Sequence, residues 1–119
     1  MLSDGNEMDA MKVPAGAIIK EDKFTRYLLV KREFDDKSQF LAGAGFNPDN
    51  YILLIDQIRM LISREDAVEE RSDEYGTFYK VSGSLTGPDN ISIKVTTVWL
   101  QRKVDGLFQF VTLIPYKRG

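Results

Sequence analysis

Between residues 21 and 31, Phe24, Tyr27 and Leu28 recur at spacings of three and four, which puts them on one helical face and leaves Lys23, Arg26 and Lys31 to water. A second helix is predicted over 35 to 44, opened by Asp35 or Asp36 as cap, with Phe40, Leu41 and Ala44 inward and Gly45 ending it in a left-handed turn. The third carries the clearest signals. Asn47 is placed as N-cap and Pro48 at the first helical position, and Tyr51, Leu54, Ile55, Ile58, Leu61 and Ile62 then form one stripe reaching about residue 63 or 64. Beyond the acidic junction Glu65 to Glu74 the period changes to two, and β-branched and aromatic residues become frequent. Four strands are predicted, over 67–71, 77–85, 91–102 and 107–114. Thr86-Gly87-Pro88-Asp89-Asn90 and Val104-Asp105-Gly106 suit hairpin turns, so the last three strands must run antiparallel. On the third strand Ile91, Ile93 and Val95 share one face while Val98 and Leu100 fall on the other, which predicts either a bulge near Thr96 and Thr97 or a sheet covered on both faces. The fold class expected is α+β, three N-terminal helices packed on a four-stranded antiparallel meander sheet.

A chain of 119 residues with 43% hydrophobic and 29% charged residues fits one domain with a real core. Met1 to Met11 show no apolar period and are expected to be a disordered leader, with a single domain over 12–119. Cys 0 and His 0 remove disulfides, thiolate nucleophiles, imidazole acid–base chemistry and zinc sites built on the usual ligands. Glu69, Glu70, Asp73 and Glu74 lack the turning-loop spacing of a hard-cation site, and Gly43, Gly83 and Gly87 match no phosphate-binding loop. No cofactor and no metal are therefore expected. The absence of an apolar run near 20 residues, or of a signal-type segment, leads us to expect a soluble, cytoplasmic protein with no membrane partner. The net charge of -2 hides a division: residues 1 to 75 hold ten Lys+Arg and sixteen Asp+Glu, a balance of -6, and residues 76 to 119 hold six and two, a balance of +4. By that count the sheet half is the basic half.

From Val13 to Tyr116 the landmarks resemble an uncharacterised bacterial domain family that occurs alone and as a module in larger secreted or phage-related polypeptides. They are Val13-Pro14, Lys23 with Tyr27-Leu28-Leu29, Lys37 with Phe40-Leu41, Gly45-Phe46, Tyr75-Gly76-Thr77, Leu85-Thr86-Gly87-Pro88, Val95-Thr96-Thr97-Val98-Trp99, and Val111-Thr112 followed by Pro115. More distantly, helices followed by a four-stranded meander with a terminal Val-Thr-x-x-Pro resemble the barnase, EndoU, colicin and RelE group of small metal-independent ribonucleases. The chain departs from EndoU-like members in lacking histidine, and from many toxin modules in carrying Ile114 where an aromatic stands two residues after the threonine.

The ribonuclease resemblance implies attack by the RNA 2'-hydroxyl on its own phosphate, which calls for a proton acceptor, a cation for developing charge, and hydroxyls to position the phosphate. Lys37, Thr97 and Thr112 lie in the matched blocks and are the expected catalytic set; Arg26 and Lys80 are further cations for substrate, and Tyr116 is expected to stack on a base. Each also has a plainer reading: Lys37 on a solvated helix face, the threonines as ordinary cross-strand pairs, Trp99 as core with its indole N–H on a carbonyl. The alternative function is a non-catalytic interaction module that binds a partner protein, or a second copy as a homodimer, through its sheet. The expected partners are thus RNA or a protein, with the chain a monomer or a homodimer.

Overall fold

In a computed structural model, described here for residues 11–33 and 36–117, four strands follow three helical segments and pair in sequence order as one antiparallel meander. They are β1 (Val68–Asp73), β2 (Gly76–Thr86), β3 (Ser92–Arg102) and β4 (Phe108–Pro115). This is the expected α+β architecture, with strand limits within a residue or two of those read from the alternation. The leader expected over Met1 to Met11 lies outside the described residues except at its end, where the Met11 carbonyl accepts the Ala67 N–H at 2.7 Å.

The helical segments are shorter than their sequence periods. α1 (Phe24–Leu28) is a single π-helical turn, in which the Leu29 N–H reaches back five residues to the Phe24 carbonyl at 3.1 Å. The wider turn carries Phe24, Leu28 and Leu29 into the core together and leaves Tyr27 48% exposed on the rim, so Tyr27 does not share the buried face predicted for it. α2 (Ser38–Ala42) begins later than expected because the Asp36 carboxylate takes the Ser38 N–H at 2.8 Å, and Gly45 ends the segment with φ 95. Asp35 lies outside the described residues. A 3-10 turn, Pro48–Asn50, leads into α3 (Tyr51–Arg64). Asn47 caps the turn: its side chain accepts from the Asp49 and Asn50 N–H groups, while its own N–H donates to the Asn50 side chain.

α3 buries Leu54, Ile58, Leu61 and Ile62 against the inner face of the sheet. Arg64 donates to the Ser84 carbonyl, and the Gln57 side chain accepts the Thr86 N–H at 2.9 Å, so the helix also satisfies the part of β2 that outruns β1. The end of β2 meets the end of α2 backbone to backbone: a Cβ at Gly87 would stand 1.6 Å from the Ala44 carbonyl oxygen, so only glycine fits. Phe24 stacks on Phe110 at 5.3 Å, Trp99 meets Phe110 edge-on at 5.4 Å, and Phe46, Leu41, Val81, Leu85, Val95 and Leu113 close the core around them. Upstream of α1, Ile18 pairs with Gln109 at the outer edge of β4, and Arg59 holds this segment by donating to the carbonyls of Ala15 and Ala17 at 2.9 and 3.2 Å.

The register removes the phase change read on β3. β2 and β3 pair without interruption from Gly76↔Arg102 to Thr86↔Ser92, and Val95, Thr97 and Trp99 all point inward. Thr97 holds an apolar position because its hydroxyl donates to the Val81 carbonyl at 2.9 Å and accepts the Trp99 indole N–H at 2.8 Å. The indole partner is thus a hydroxyl rather than the expected carbonyl. The irregularity falls on β4 instead: Val98 pairs with Thr112 but Trp99 pairs with Phe110, which leaves Val111 as an extra residue.

Candidate functional site: a cationic cleft at the edge of β4

The extra residue on β4 builds the site. Phe110 and Leu113 both face the core although three positions apart, and the two residues between them, Val111 and Thr112, are carried to the other side at an edge that the upstream segment no longer covers. Across that edge lie α1 and the approach to α2. Together they enclose a cleft of about 500 Å³ lined by Lys23, Tyr27, Arg32, Lys37 and Thr112, with Leu28 and Val111 as its apolar part. The Arg32 guanidinium lies 5.2 Å from the Tyr27 ring centroid, a cation–π contact. Lys37 stands at the residue before α2, directly after Asp36, whose carboxyl is held below its ordinary range chiefly by the hydrogen bond from the Ser38 hydroxyl at 2.6 Å and next by the Ser38 N–H. Three cations, one aliphatic hydroxyl and one phenol therefore face a single concavity, and no carboxylate is among its described lining residues. Such an arrangement suits a phosphodiester or another compact anion.

Of the six residues singled out from sequence, the structure brings Lys37 and Thr112 together in this cleft. Thr97 is not with them. It is 0% exposed, it lies on the opposite face of the sheet from Thr112, and its hydroxyl already donates and accepts within the core, so nothing of it is offered to a substrate. Lys80 shares the outer face and the cross-strand row of Thr112 through Val98, but two strands away, with its ammonium 3.0 Å from Glu70. Arg26 is exposed on α1 and is not among the cleft residues; Tyr116 lies past the end of β4, beside a separate recess with Ser82, Gly83 and Lys94. Sequence reasoning missed Lys23, Arg32 and Tyr27 as site residues. One signal was present: Phe108, Phe110 and Leu113 are spaced two and then three apart, the mark of an inserted residue in an alternating strand.

The division of charge reads differently in three dimensions. The cleft cations Lys23, Arg32 and Lys37 all come from the acidic first half; in the basic half Lys80 lies 3.0 Å from Glu70, Arg102 lies 3.0 Å from Asp105, and Lys94 lines a separate recess. Among the described residues no three His, Cys, Asp or Glu side chains cluster as metal donors, and no helix is long and apolar enough to cross a membrane.

The fold and the cleft define a small α+β domain in which short helical segments and a bulged edge strand frame a cleft lined by three cations. Residues 12–117 match the family DUF6883, described as a domain of unknown function, and the chain belongs to that family. Among solved structures it is similar to a chain of a contact-dependent growth inhibition toxin–immunity protein complex from Klebsiella pneumoniae 342. That match has a TM-score of 0.62 at 18% identity and covers 84% of this chain and 100% of that one. At such identity the likeness speaks for the fold. No curated protein matches the chain significantly.

Proposed function

We propose that the chain is a metal-independent ribonuclease whose substrate phosphate sits between Lys37, Thr112, Lys23 and Arg32. The observation that carries this reading is the gathering of three cations and a hydroxyl around one cleft at the bulge of β4. In the reaction the 2'-oxygen bonds to phosphorus as the bond to the 5'-oxygen breaks. Water takes the 2'-hydroxyl proton and protonates the departing 5'-oxygen, giving a 2',3'-cyclic phosphate and a 5'-hydroxyl end. The cleft contributes electrostatics: Lys37, Lys23 and Arg32 offset the charge that builds on the non-bridging oxygens, and the Thr112 hydroxyl orients the phosphate. Arg26, Lys80 and Tyr116 serve strands longer than the cleft. The structural neighbour comes from a toxin–immunity protein complex, a setting in which a toxin domain and a partner-binding domain are equally at home.

The test is incubation of purified protein with mixed RNA in the presence of a chelator, with end-group analysis of the products. Cyclic phosphate ends are expected, with Lys37→Ala slower by about 100-fold or more, the scale of losing one group that stabilises transition-state charge. Absence of cleavage at micromolar protein, or equal cleavage by Lys37→Ala, overturns the reading.

The second reading is a non-catalytic module that binds a partner protein through its sheet. It is favoured by β1, an edge strand exposed at all six positions, and by the two-protein complex from which the neighbour comes. Light scattering behind size exclusion separates its forms: a monomer at all concentrations removes self-association and leaves a different protein as the partner.

A further inference from the structure

The outer face of the sheet continues the polar surface that starts in the cleft. Thr112 lies opposite Val98 and Ile114 opposite Thr96, and the Tyr116 N–H donates to the Lys94 carbonyl at 3.0 Å, which extends the register by one pair. By the alternation of side chains, Thr112, Ile114 and Tyr116 share one face with Lys94 and with Ser82 of β2. Ser82, Lys94 and Tyr116, with the backbone of Gly83, line a recess of about 220 Å³. The Ser82 hydroxyl is held by a hydrogen bond with the Thr96 hydroxyl at 2.8 Å, while Lys94 is exposed and Tyr116 is 45% exposed.

Thr112 and Tyr116 are four steps apart along the strand direction, about 13 Å, room for more than one nucleotide of an extended strand. The two ends of this path repeat one chemistry, an aromatic ring beside an ammonium group and a hydroxyl, with no carboxylate among the described lining residues of either. Between them stands the half-buried Ile114, an apolar step over which a base can pass.

We infer that the sheet face is an extended track for single-stranded RNA: with the scissile phosphate in the cleft, the strand runs along β4, a flanking phosphate meets Lys94 and a flanking base stacks on Tyr116. This rests on the ribonuclease reading and adds to it a substrate class, single strands several nucleotides long. Tyr116 and Lys94 are positioning residues and act on binding.

The experiment compares an RNA dinucleotide with a hexanucleotide, following kcat and KM for cleavage and fluorescence anisotropy for binding, in wild type, Tyr116→Ala, Tyr116→Phe, Lys94→Ala and Lys37→Ala. For the hexanucleotide, Tyr116→Ala and Lys94→Ala are expected to raise KM and Kd about tenfold each with kcat unchanged, while Tyr116→Phe keeps the ring and stays at wild-type values. The dinucleotide is expected to show no difference among these three variants and wild type. Length-independent effects, or none on the hexanucleotide, overturn the track while Lys37-dependent cleavage of both substrates leaves the cleft intact. Failure of wild type to bind or cleave either RNA overturns both.

Discussion

A threonine holds an interior position when each polar function of its hydroxyl finds a partner, and Thr97 meets that condition with one bond given to the Val81 carbonyl and one taken from the Trp99 indole. Thr97→Val keeps the shape and deletes both bonds, leaving the indole N–H buried and unpaired. The expected cost is about 1–3 kcal/mol, read as a lower urea midpoint with an unchanged m-value and a shifted Trp99 emission. A variant as stable as wild type would show that the indole finds another acceptor. The same residue marks how far sequence could go. Periodicity placed Thr97 correctly on β3, but a pattern of letters does not distinguish a threonine that faces solvent from one whose hydroxyl is consumed inside, and the apparent phase change at Thr96–Thr97 came from counting it as polar. Lys37 and Thr112, 75 positions apart, are brought to one cleft by the packing of the approach to α2 against the edge of β4, which alternation on single strands does not supply.

At the scale of elements, the strands were legible because alternation, turn residues and β-branched content agreed, and α3 because cap, proline and apolar stripe agreed. α1 was not, since the spacing of Phe24, Tyr27 and Leu28 fits an α-helix as well as a π turn and the difference lies in which carbonyl Leu29 finds. α2 is a five-residue segment whose start depends on Asp36. The Asp36 pKa is lowered in the folded chain by the hydroxyl and N–H of Ser38, so its contribution is complete above the unfolded-chain value of about 3.9 and is lost as pH falls through the lowered one. A carboxyl titration by NMR is expected to show a midpoint for Asp36 below that of an unstructured aspartate. Protection of the Ser38 amide should decline over the same acidic window. In Asp36→Ala this protection should be weak at every pH; protection equal to wild type would mean that the start of α2, and with it the setting of Lys37, is held by other contacts.

For the molecule as a whole, a net charge of -2 provides little long-range attraction for nucleic acid, so the RNA binding proposed above requires cations concentrated in one place. With one phosphate held among Lys23, Arg32 and Lys37 and a flanking one at Lys94, the logarithm of the binding constant is expected to fall against the logarithm of salt with a slope of about -1.4, from a factor near 0.7 per neutralised phosphate on single strands. A slope near zero would show that these groups do not touch phosphates. Summing charges over halves of the sequence pointed to the sheet half because it ignored position: Lys23, Arg32 and Lys37 belong to the acidic half, and the fold gathers them where α1 and the approach to α2 meet β4. The single surplus residue at Val111 also decides where this domain tolerates changes in length. Removing Val111 would bring Phe110 and Leu113 to the spacing of plain alternation, leaving both in the core and Thr112 outward while taking one apolar wall from the cleft, and the exposed Lys103–Leu107 connection would absorb an added residue without disturbing either surface.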